Sequence, residues 1–266
     1  MHQQESTTLS NLEDAVLISI NCTGNNPKKD RIIEVAALKV DLGNLDNLEQ
    51  LEVKYFLKRV NPEQPIPAQT QSLTGIKERD LKNEPPFRDI AQELRNFIAD
   101  HALVAHNARW QSRMLQAELE RAGQKGLEHN PVLCTQQRLA HYLRQLQAQN
   151  VNLPLVQATR LFSGAKKTDD PKEAFPKAYQ NLQLTLALRA MDDLPGSAQE
   201  RWHKYFENFQ PQPSCSSQRS PWTRLAALIP GRSNFFSYAV QKTSKFILLF
   251  LLGFLLAGIF LRIVGN

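Results

Sequence analysis

Cysteine is scarce in this sequence, and the usual cysteine motifs are missing. The 266 residues include three cysteines, Cys22, Cys134 and Cys215, which lie far apart and form no CxxC or Cys/His spacing. An odd number of dispersed cysteines argues against a disulfide framework and against a structural zinc site. A reducing compartment fits this usage best.

Excess positive charge is absent from the first 200 residues, although the whole chain has a net charge of +6. Residues 1–200 carry 24 Lys and Arg against 25 Asp and Glu, whereas residues 201–266 carry eight basic residues against one acidic residue. A domain that coats nucleic acid clusters basic residues on its own surface. The charge distribution argues against such a domain in residues 1–200 and places the basic excess in the tail.

A long apolar run accounts for the chemistry of that tail. Residues 246–261 (FILLFLLGFLLAGIFL) contain no polar side chain. A helix that continues through Arg262 to Val264 is about 28 Å long, close to the thickness of a bilayer's hydrocarbon core. The sequence predicts a transmembrane helix over residues 246–264, with a buried core helix as the alternative.

The flanking residues predict the orientation of this span. The stretch MHQQESTTLSNLEDA has neither the basic nor the apolar region of a signal peptide. Lys242 and Lys245 precede the span, and the positive-inside rule keeps the part before them in the cytoplasm. We expect a tail-anchored, single-pass membrane protein with a cytoplasmic folded domain and membrane lipid as one partner. Gly253 and Ala257 form a small-xxx-small pair that would allow a homodimer through the span.

Residues 193–245 are predicted to form a linker and a juxtamembrane segment. The part that begins at Pro211 is rich in Pro, Ser and Gln, and residues 221–245 interleave aromatic with basic side chains. The first composition is typical of a linker, and the second suits an interface with anionic lipid. A plain solvated linker is the alternative for the second part.

Residues 13–192 have the pattern of an α/β domain, which follows a polar N-terminal tail at residues 1–12. Three β-type segments come first, a helix and a fourth β-type segment follow, and the remaining segments are helical. This order indicates a mixed sheet flanked by helices. The segments are β-type residues 16–21, 31–40 and 52–60, helical residues 87–98, β-type residues 102–105, a helix around Met114, and helical residues 135–147, 153–161 and 173–191.

Five motifs in this domain resemble those of a known family. They are LISINCTGNNPKKDRIIEVAALKV, SLTGI at residues 72–76, LVAHNARW at residues 103–110, CTQQRLA and AYQNLQLT. Their order and spacing resemble the DEDD (DEDDh-type) 3′–5′ exonucleases, the family of RNase T and the DNA polymerase III proofreading subunit. The resemblance implies a ribonuclease H-like fold. In active members it also implies four carboxylates that hold two divalent cations and a histidine that acts as general base.

The catalytic positions of that family are all replaced in this sequence. Its Asp-x-Glu positions are Ser19 and Asn21, its second-motif Asp is Gln111, and its third-motif His and Asp are Tyr179 and Leu184. Serine, asparagine and glutamine offer no charge to Mg²⁺, so we expect no Mg²⁺ or Mn²⁺ site and no hydrolysis. Leu184 is expected to extend an apolar helix face. Tyr179 is expected to be a packed aromatic, with binding through its hydroxyl or stacking on a base as the alternative.

Further motif residues are candidates for contact with nucleic acid. One group belongs to the first-motif loop, two lysine pairs border the implied pocket, and His106 and Asn107 are expected mainly to hold their own loop. The candidates are Cys22, Thr23, Gly24, Lys28, Lys29, His106, Asn107, Lys166 and Lys167.

Three functions remain open at this point. The first is an inactive exonuclease-like domain at a membrane that binds a protein or another ligand. The second is a protein that binds nucleic-acid ends weakly without cutting them, and the third is an active 3′–5′ exonuclease with an unusual site. The near-neutral charge of residues 1–200 argues against the second, because non-specific binding depends on phosphate neutralisation by Lys and Arg. The missing carboxylates argue against the third.

Overall fold

The computed structural model describes residues 9, 12–43, 52–163, 171–197 and 200–201. These residues form a five-stranded sheet with helices on both faces. The strands are β1 (Asp14–Cys22), β2 (Ile32–Asp41), β3 (Val53–Arg59), β4 (Ala102–Ala105) and β5 (Val132–Cys134). The helices are α1 (Ala68–Thr74), α2 (Glu78–Leu81), α3 (Phe87–Ile98), α4 (Ala108–Arg121), α5 (Thr135–Gln145), α6 (Leu155–Ser163) and α7 (Ala174–Asp193).

The sheet is mixed, as the sequence predicts. Its strand order is β3-β2-β1-β4-β5, with β1 in the centre. β1 pairs antiparallel with β2, and β2 pairs antiparallel with β3. β4 is parallel to β1, and β5 is parallel to β4. The prediction of a mixed sheet flanked by helices is therefore confirmed.

Two apolar layers cover the sheet, one on each face. α5, α6 and α7 pack on one face, and α3 and α4 pack on the other. Every residue of β1 from Ala15 to Cys22 is buried, because helices cover both sides of this strand. Successive side chains of a strand alternate between faces, and Leu17 belongs to the α7 layer. Ser19 and Asn21 therefore face α7 as well.

Three short elements are not predicted by the sequence patterns. β5 has three residues at the edge of the sheet, and α2 has four residues. α1 follows Pro67 and ends at Thr74, so the SLTGI motif forms the end of a helix. Gly75 adopts a left-handed conformation with φ 73°, and its N–H donates to the carbonyl of Gln71 at 2.8 Å, which terminates α1.

Several predictions fall on residues outside the described part of the chain. They are the transmembrane helix at 246–264, most of the linker at 193–245, the N-terminal tail apart from residues 9 and 12, and the lysine pair Lys166 and Lys167. Among the residues that the structure does describe, none of the helices combines the length and the apolar character that a membrane crossing requires.

Candidate functional site

The counterpart positions meet where the carboxyl end of β1 lies against α7 and the start of α4. Ser19 and Asn21 are 5% and 4% exposed, and Leu184 in α7 is fully buried. Gln111, in the first turn of α4, contacts the β1 backbone beside Asn21. Chain folding therefore brings residues of the three motif regions close together.

Both the nitrogen and the oxygen of the Asn21 side-chain amide form hydrogen bonds within the protein. Asn21 Nδ2 donates to Glu34 Oε2 at 2.9 Å and to the carbonyl of Lys172 at 2.9 Å. Lys177 Nζ donates to Asn21 Oδ1 at 2.9 Å. A carboxylate at this position would have no protons to donate to the first two partners. The site therefore suits an amide, and a lysine ammonium is its nearest cation.

Glu34 holds the start of α7 against the sheet. Its side chain is buried on β2 and accepts a second hydrogen bond from the backbone N–H of Ala174 at 2.7 Å. The Arg59 guanidinium lies 3.5 Å from its other oxygen and also binds Glu173 at 3.1 Å. Glu34 is thus a structural carboxylate whose oxygens are taken by protein groups. The sequence does not predict this role for Glu34, because its partner Ala174 is distant along the chain.

Gln111 joins the β1 backbone to the second-motif loop. Its Oε1 accepts from the N–H of Ile20 at 3.2 Å, and its Nε2 donates to the carbonyl of His106 at 2.6 Å. The pairing of β1 with β4 ends at Leu17, so the N–H of Ile20 needs another acceptor. A carboxylate would satisfy Ile20 but would face the His106 carbonyl without a proton. The amide is therefore the better side chain here.

Apolar packing fills the third-motif positions. Leu184 belongs to the buried layer between α7 and the sheet, and Tyr179 packs against the same layer. Burial raises the pKa of the Tyr179 hydroxyl well above its usual value. The phenol therefore stays protonated near neutral pH, which makes it unfit as a general base in this conformation.

His106 and Asn107 shape the loop between β4 and α4. His106 Nδ1 lies 3.1 Å from Thr135 Oγ1, and His106 Nε2 lies 2.8 Å from the carbonyl oxygen of Leu153. Burial lowers the pKa of His106. Asn107 has a left-handed backbone with φ 59°, and its carbonyl accepts from the N–H of Gln111 at 3.3 Å. The geometry gives both residues the loop-holding role.

The first-motif loop is held tightly at its base. Thr23 Oγ1 accepts from the N–H of Arg31 at 3.0 Å and from Gln64 Nε2 at 2.9 Å. A Cβ on Gly24 would lie 2.5 Å from an Asp30 carboxylate oxygen, so a larger residue would have to displace the carboxylate that accepts from Thr23 and Asn26. Burial raises the pKa of the Cys22 thiol, which makes it a packing residue and a poor nucleophile.

The two lysines of that loop lie at its tip, whereas the buried residues lie at its base. Lys28 and Lys29 are exposed at the loop tip. Lys28 uses its backbone N–H, which donates to Asn26 Oδ1 at 3.0 Å, and this bond shapes the turn. Their ammonium groups are therefore presented to solvent.

The donor set at the site does not fit a divalent cation. Within the described ranges, no three His, Cys, Asp or Glu side chains are grouped so that they could hold a metal ion. Glu34 is one carboxylate among neutral amides, and its oxygens already bind protein groups. Asp192, further along α7, binds Arg138 Nε at 3.1 Å and also accepts from Tyr142. Its oxygens are therefore already bound by protein groups.

Comparison with known proteins places this geometry in a family. The Exonuclease (RNase_T) family model matches residues 19–187. The 3′-5′ exonuclease DinG of Bacillus subtilis is 35% identical over 114 residues, which cover 42% of this chain and 12% of that protein. The PolC-type DNA polymerase III of Bacillus cereus is 30% identical over 173 residues, which cover 65% of this chain and 11% of the relative. The chain thus matches a small part of each of these relatives.

Solved structures show the same fold. Escherichia coli exonuclease I in complex with a dA16 oligonucleotide superposes with a TM-score of 0.54 at 14% identity, over 82% of this chain and 46% of that one. A 3′-exonuclease that recognises the 3′ end of a histone mRNA stem-loop gives a TM-score of 0.54 at 15% identity. The superposition covers 70% of this chain and 67% of that one. The predicted ribonuclease H-like fold is therefore confirmed. Motif order, sheet topology and the match over residues 19–187 agree that the chain belongs to the RNase_T exonuclease family.

Proposed function

We propose that this chain is a catalytically inactive exonuclease-family domain that serves as a binding module at a membrane. The observation that carries the proposal is the Asn21 network, in which an amide, a buried carboxylate and a lysine ammonium satisfy one another. Active members of the family, as the resemblance implies, place a metal-binding carboxylate at this position. Here the position is used to connect β1 with α7.

The electrostatics of the site support the loss of metal binding. Mg²⁺ is bound through anionic oxygens that replace part of its water shell, and Ser19, Asn21 and Gln111 provide none. Lys177 Nζ, 2.9 Å from Asn21 Oδ1, adds a positive charge where a divalent cation would have to sit. The site would thus repel a divalent cation through Lys177 and would not attract it through carboxylates. We therefore propose that no Mg²⁺ or Mn²⁺ cofactor is used.

Without the metal, the remaining groups offer no replacement chemistry. Tyr179 stays protonated, and Leu184 is a buried hydrocarbon. A general base contributes typically ~10²–10⁴ in rate, and metal activation of water contributes several kcal/mol more. The loss of both leaves binding as the use of this domain.

A titration calorimetry experiment tests the inactive site. Mn²⁺ added to the full-length protein in mild detergent should give no heat beyond dilution. A variant with Lys177→Met removes the competing ammonium and serves as the comparison, because it too lacks the anionic ligands and should stay silent. A saturable Mn²⁺ site in the wild-type protein that disappears on Asn21→Ala or Gln111→Ala would contradict the proposal.

Membrane anchoring is the second part of the proposal. It is supported by the apolar run at residues 246–261 and by the lysines that precede it. Deletion of residues 246–266 should move the protein from the membrane fraction to the soluble fraction. Protease added on the cytoplasmic side should digest the domain of the intact protein. Retention of the truncated protein in membranes at high salt would contradict the anchoring.

Nucleic-acid end binding is the second candidate function. A specific observation favours it, because Lys28 and Lys29 extend from a loop beside the motif region. The related fold of exonuclease I has been seen with a dA16 oligonucleotide, which gives this candidate a precedent in a relative. A protein that binds the domain is the alternative partner. A second copy of the chain, packed against the predicted span, is a further one.

A further inference from the structure

One segment of the folded domain lacks acidic side chains. Residues 129–168 contain no aspartate or glutamate, although the whole chain has 26 of them. The described part of this segment forms β5, α5 and α6 and carries the arginines Arg138, Arg144 and Arg160. On the opposite face of the sheet, α3 exposes Asp89 and Glu93. The charges of the domain nearly balance in total, but they are unevenly distributed over its surface.

The outer face of α5 presents an unpaired positive charge. Gln137, His141 and Arg144 are exposed, and their i, i+4, i+7 spacing places them along one stripe of the helix. The buried side chains of α5 pack in the layer between the helices and the sheet. Arg138 is neutralised by Asp192 on α7, but no carboxylate in the described part of the chain pairs with Arg144.

Exposed apolar side chains accompany this charge. Among the residues that the structure describes, the exposed large apolar side chains are Leu73, Val132 and Leu161. Val132 in β5 is 44% exposed and Leu161 in α6 is 37% exposed, so two of the three lie in the acid-free segment. β5 leads directly into α5, and α5 contacts α6. We call the exposed residues of β5, α5 and α6 the α5–α6 surface.

The chain leaves the described part of the domain beside α5. Arg201 is the last described residue, and its guanidinium donates to the carbonyl of Gly196 at 2.8 Å and to that of Asp192 at 3.2 Å. The same guanidinium contacts the Tyr142 hydroxyl of α5, which donates to the Asp192 carboxylate. The segment that leads toward the predicted span therefore begins next to α5.

The acidic side chains of α7 near this exit are matched by arginines. Asp192 binds Arg138, and Asp193 lies beside Arg189 and Arg201. These carboxylates therefore add little repulsion against an anionic surface that approaches α5. Residues 202–245 separate the exit from the apolar run, and a flexible linker of that length spans roughly 33–40 Å on average. A domain tethered at residue 246 can thus reach the membrane surface with α5.

We propose that the α5–α6 surface is the face by which the folded domain rests on an anionic lipid bilayer. Arg144 lies among the lipid headgroups, and Val132 and Leu161 reach the interface, which favours this mixture of basic and apolar side chains. A surface with one unpaired arginine binds lipid weakly on its own. The tether keeps it close to the bilayer, so a weak contact is enough to orient the domain. The inference rests on the membrane anchoring in the proposed function.

Fluorescence quenching in lipid nanodiscs measures this orientation. Full-length protein with Gln137→Cys, in a background of Cys134→Ser and Cys215→Ser, is labelled with a nitrobenzoxadiazole fluorophore, because the remaining Cys22 is buried. Gln92→Cys in the same background is the matched control, exposed on α3 at the other face of the sheet. The nanodiscs contain doxyl-labelled phosphatidylcholine, with or without about 30% phosphatidylserine. With phosphatidylserine, we expect quenching at position 137 to be several-fold stronger than at position 92, and to weaken at about 0.5 M salt.

Two charge reversals locate the contact. Arg144→Glu changes the charge of the surface by two units, and at about fivefold per basic side chain near an anionic surface it should lower the ratio of docked to detached domain roughly 25-fold. Quenching at position 137 should then fall to the level at position 92. Arg113→Glu is the matched control on α4, which packs on the other face of the sheet, and it should leave the quenching unchanged.

A failure of anchoring is recognised separately, because the protein would then not co-purify with the nanodiscs. In anchored protein, equal quenching at positions 137 and 92 would overturn the proposal. Quenching at position 137 that depends neither on phosphatidylserine nor on Arg144 would overturn it as well. Stronger quenching at position 92 would place the opposite face of the domain on the bilayer and would also contradict it.

Discussion

Asn21→Asp is the smallest change that places a carboxylate back at a catalytic position of the family. The new side chain has the shape of asparagine, but an oxygen replaces the nitrogen that donates to Glu34 Oε2 and to the carbonyl of Lys172, each at 2.9 Å. The contact with Lys177 Nζ at 2.9 Å is kept. The substitution therefore exchanges two hydrogen bonds for two repulsive contacts.

The size of the effect follows from these distances. At an effective dielectric constant of about 20, two unit charges 2.9 Å apart interact by roughly 6 kcal/mol. The repulsion by Glu34 and the attraction by Lys177 act at the same distance and largely cancel. What remains is the loss of one charge-assisted and one neutral hydrogen bond, about 3 kcal/mol together. We expect the free energy of unfolding to fall by about this amount at pH 7.

The dependence on pH distinguishes this mechanism from a general loss of packing. Because the charges of Glu34 and Lys177 largely cancel, the folded-state pKa of the new carboxyl should rise above its unfolded value of about 3.9 mainly because only the protonated form can donate a hydrogen bond to Glu34 or to the Lys172 carbonyl. A protonated carboxyl donates again, so the destabilisation should shrink as the pH falls toward 3.9, by at most about 1.4 kcal/mol per pH unit. The penalty should therefore be smaller at pH 5 than at pH 7, by no more than about 2.8 kcal/mol over the two pH units.

Urea unfolding of the full-length protein at both pH values measures these quantities. Asn150→Asp is the matched control, because Asn150 is exposed and its side-chain oxygen only accepts, from the N–H of Asn152 at 3.2 Å. The control should stay within about 0.5 kcal/mol of the wild-type protein. A penalty for Asn21→Asp below about 1 kcal/mol, or one that grows as the pH falls, would refute the reasoning.

Three more substitutions test other parts of the structure. Ala99 has φ 48° and ψ −131°, so Ala99→Gly should relieve strain and raise the melting temperature by about 2–4 °C; a lower melting temperature would contradict this. His106 has a lowered pKa, so the unfolded imidazole takes up a proton near pH 6.5 while the buried one does not, and stability should fall as the pH drops below that value. His106→Gln should flatten this fall between pH 7 and pH 5 in urea unfolding, and an unchanged slope would assign it to other groups. Leu184→Ala should cost about 2–5 kcal/mol through a cavity, whereas Leu73→Ala, at a side chain that is 66% exposed, should cost less than about 0.5 kcal/mol; similar costs for the two would mean that Leu184 is not packed as described.

The sheet and its helices could be predicted because their signals are local. Apolar runs and turn residues identify β1 to β4, and the apolar stripe of α3 gives its helical period. α1, α2 and β5 are absent from the prediction, because helices of seven and four residues are too short to show a helical period and the three residues of β5 form no distinct apolar run. The ribonuclease H-like fold itself is predicted from the order and spacing of the motifs.

The sequence predicts where the site lies, but it does not predict the contacts of the side chains there. The motif strings predict that the carboxylates are replaced, but they do not predict which groups the side chains at those positions contact. Asn21 binds Lys177 across 156 residues, and Gln111 reaches Ile20 across 91 residues. Hydrogen bonds between segments this far apart leave no periodic trace in a single sequence.

The most direct test of the central claim is a nuclease assay under forcing conditions. Full-length protein at a stoichiometric ratio to end-labelled single-stranded DNA or RNA, with Mn²⁺ or Mg²⁺, should leave the strand intact and give no ladder of shortened products. E. coli exonuclease I, which has been solved with a dA16 oligonucleotide, is the positive control for the DNA substrate and should give a ladder in the same buffer. A ladder that appears with the wild-type protein and is lost on Asn21→Ala or Gln111→Ala would contradict the account.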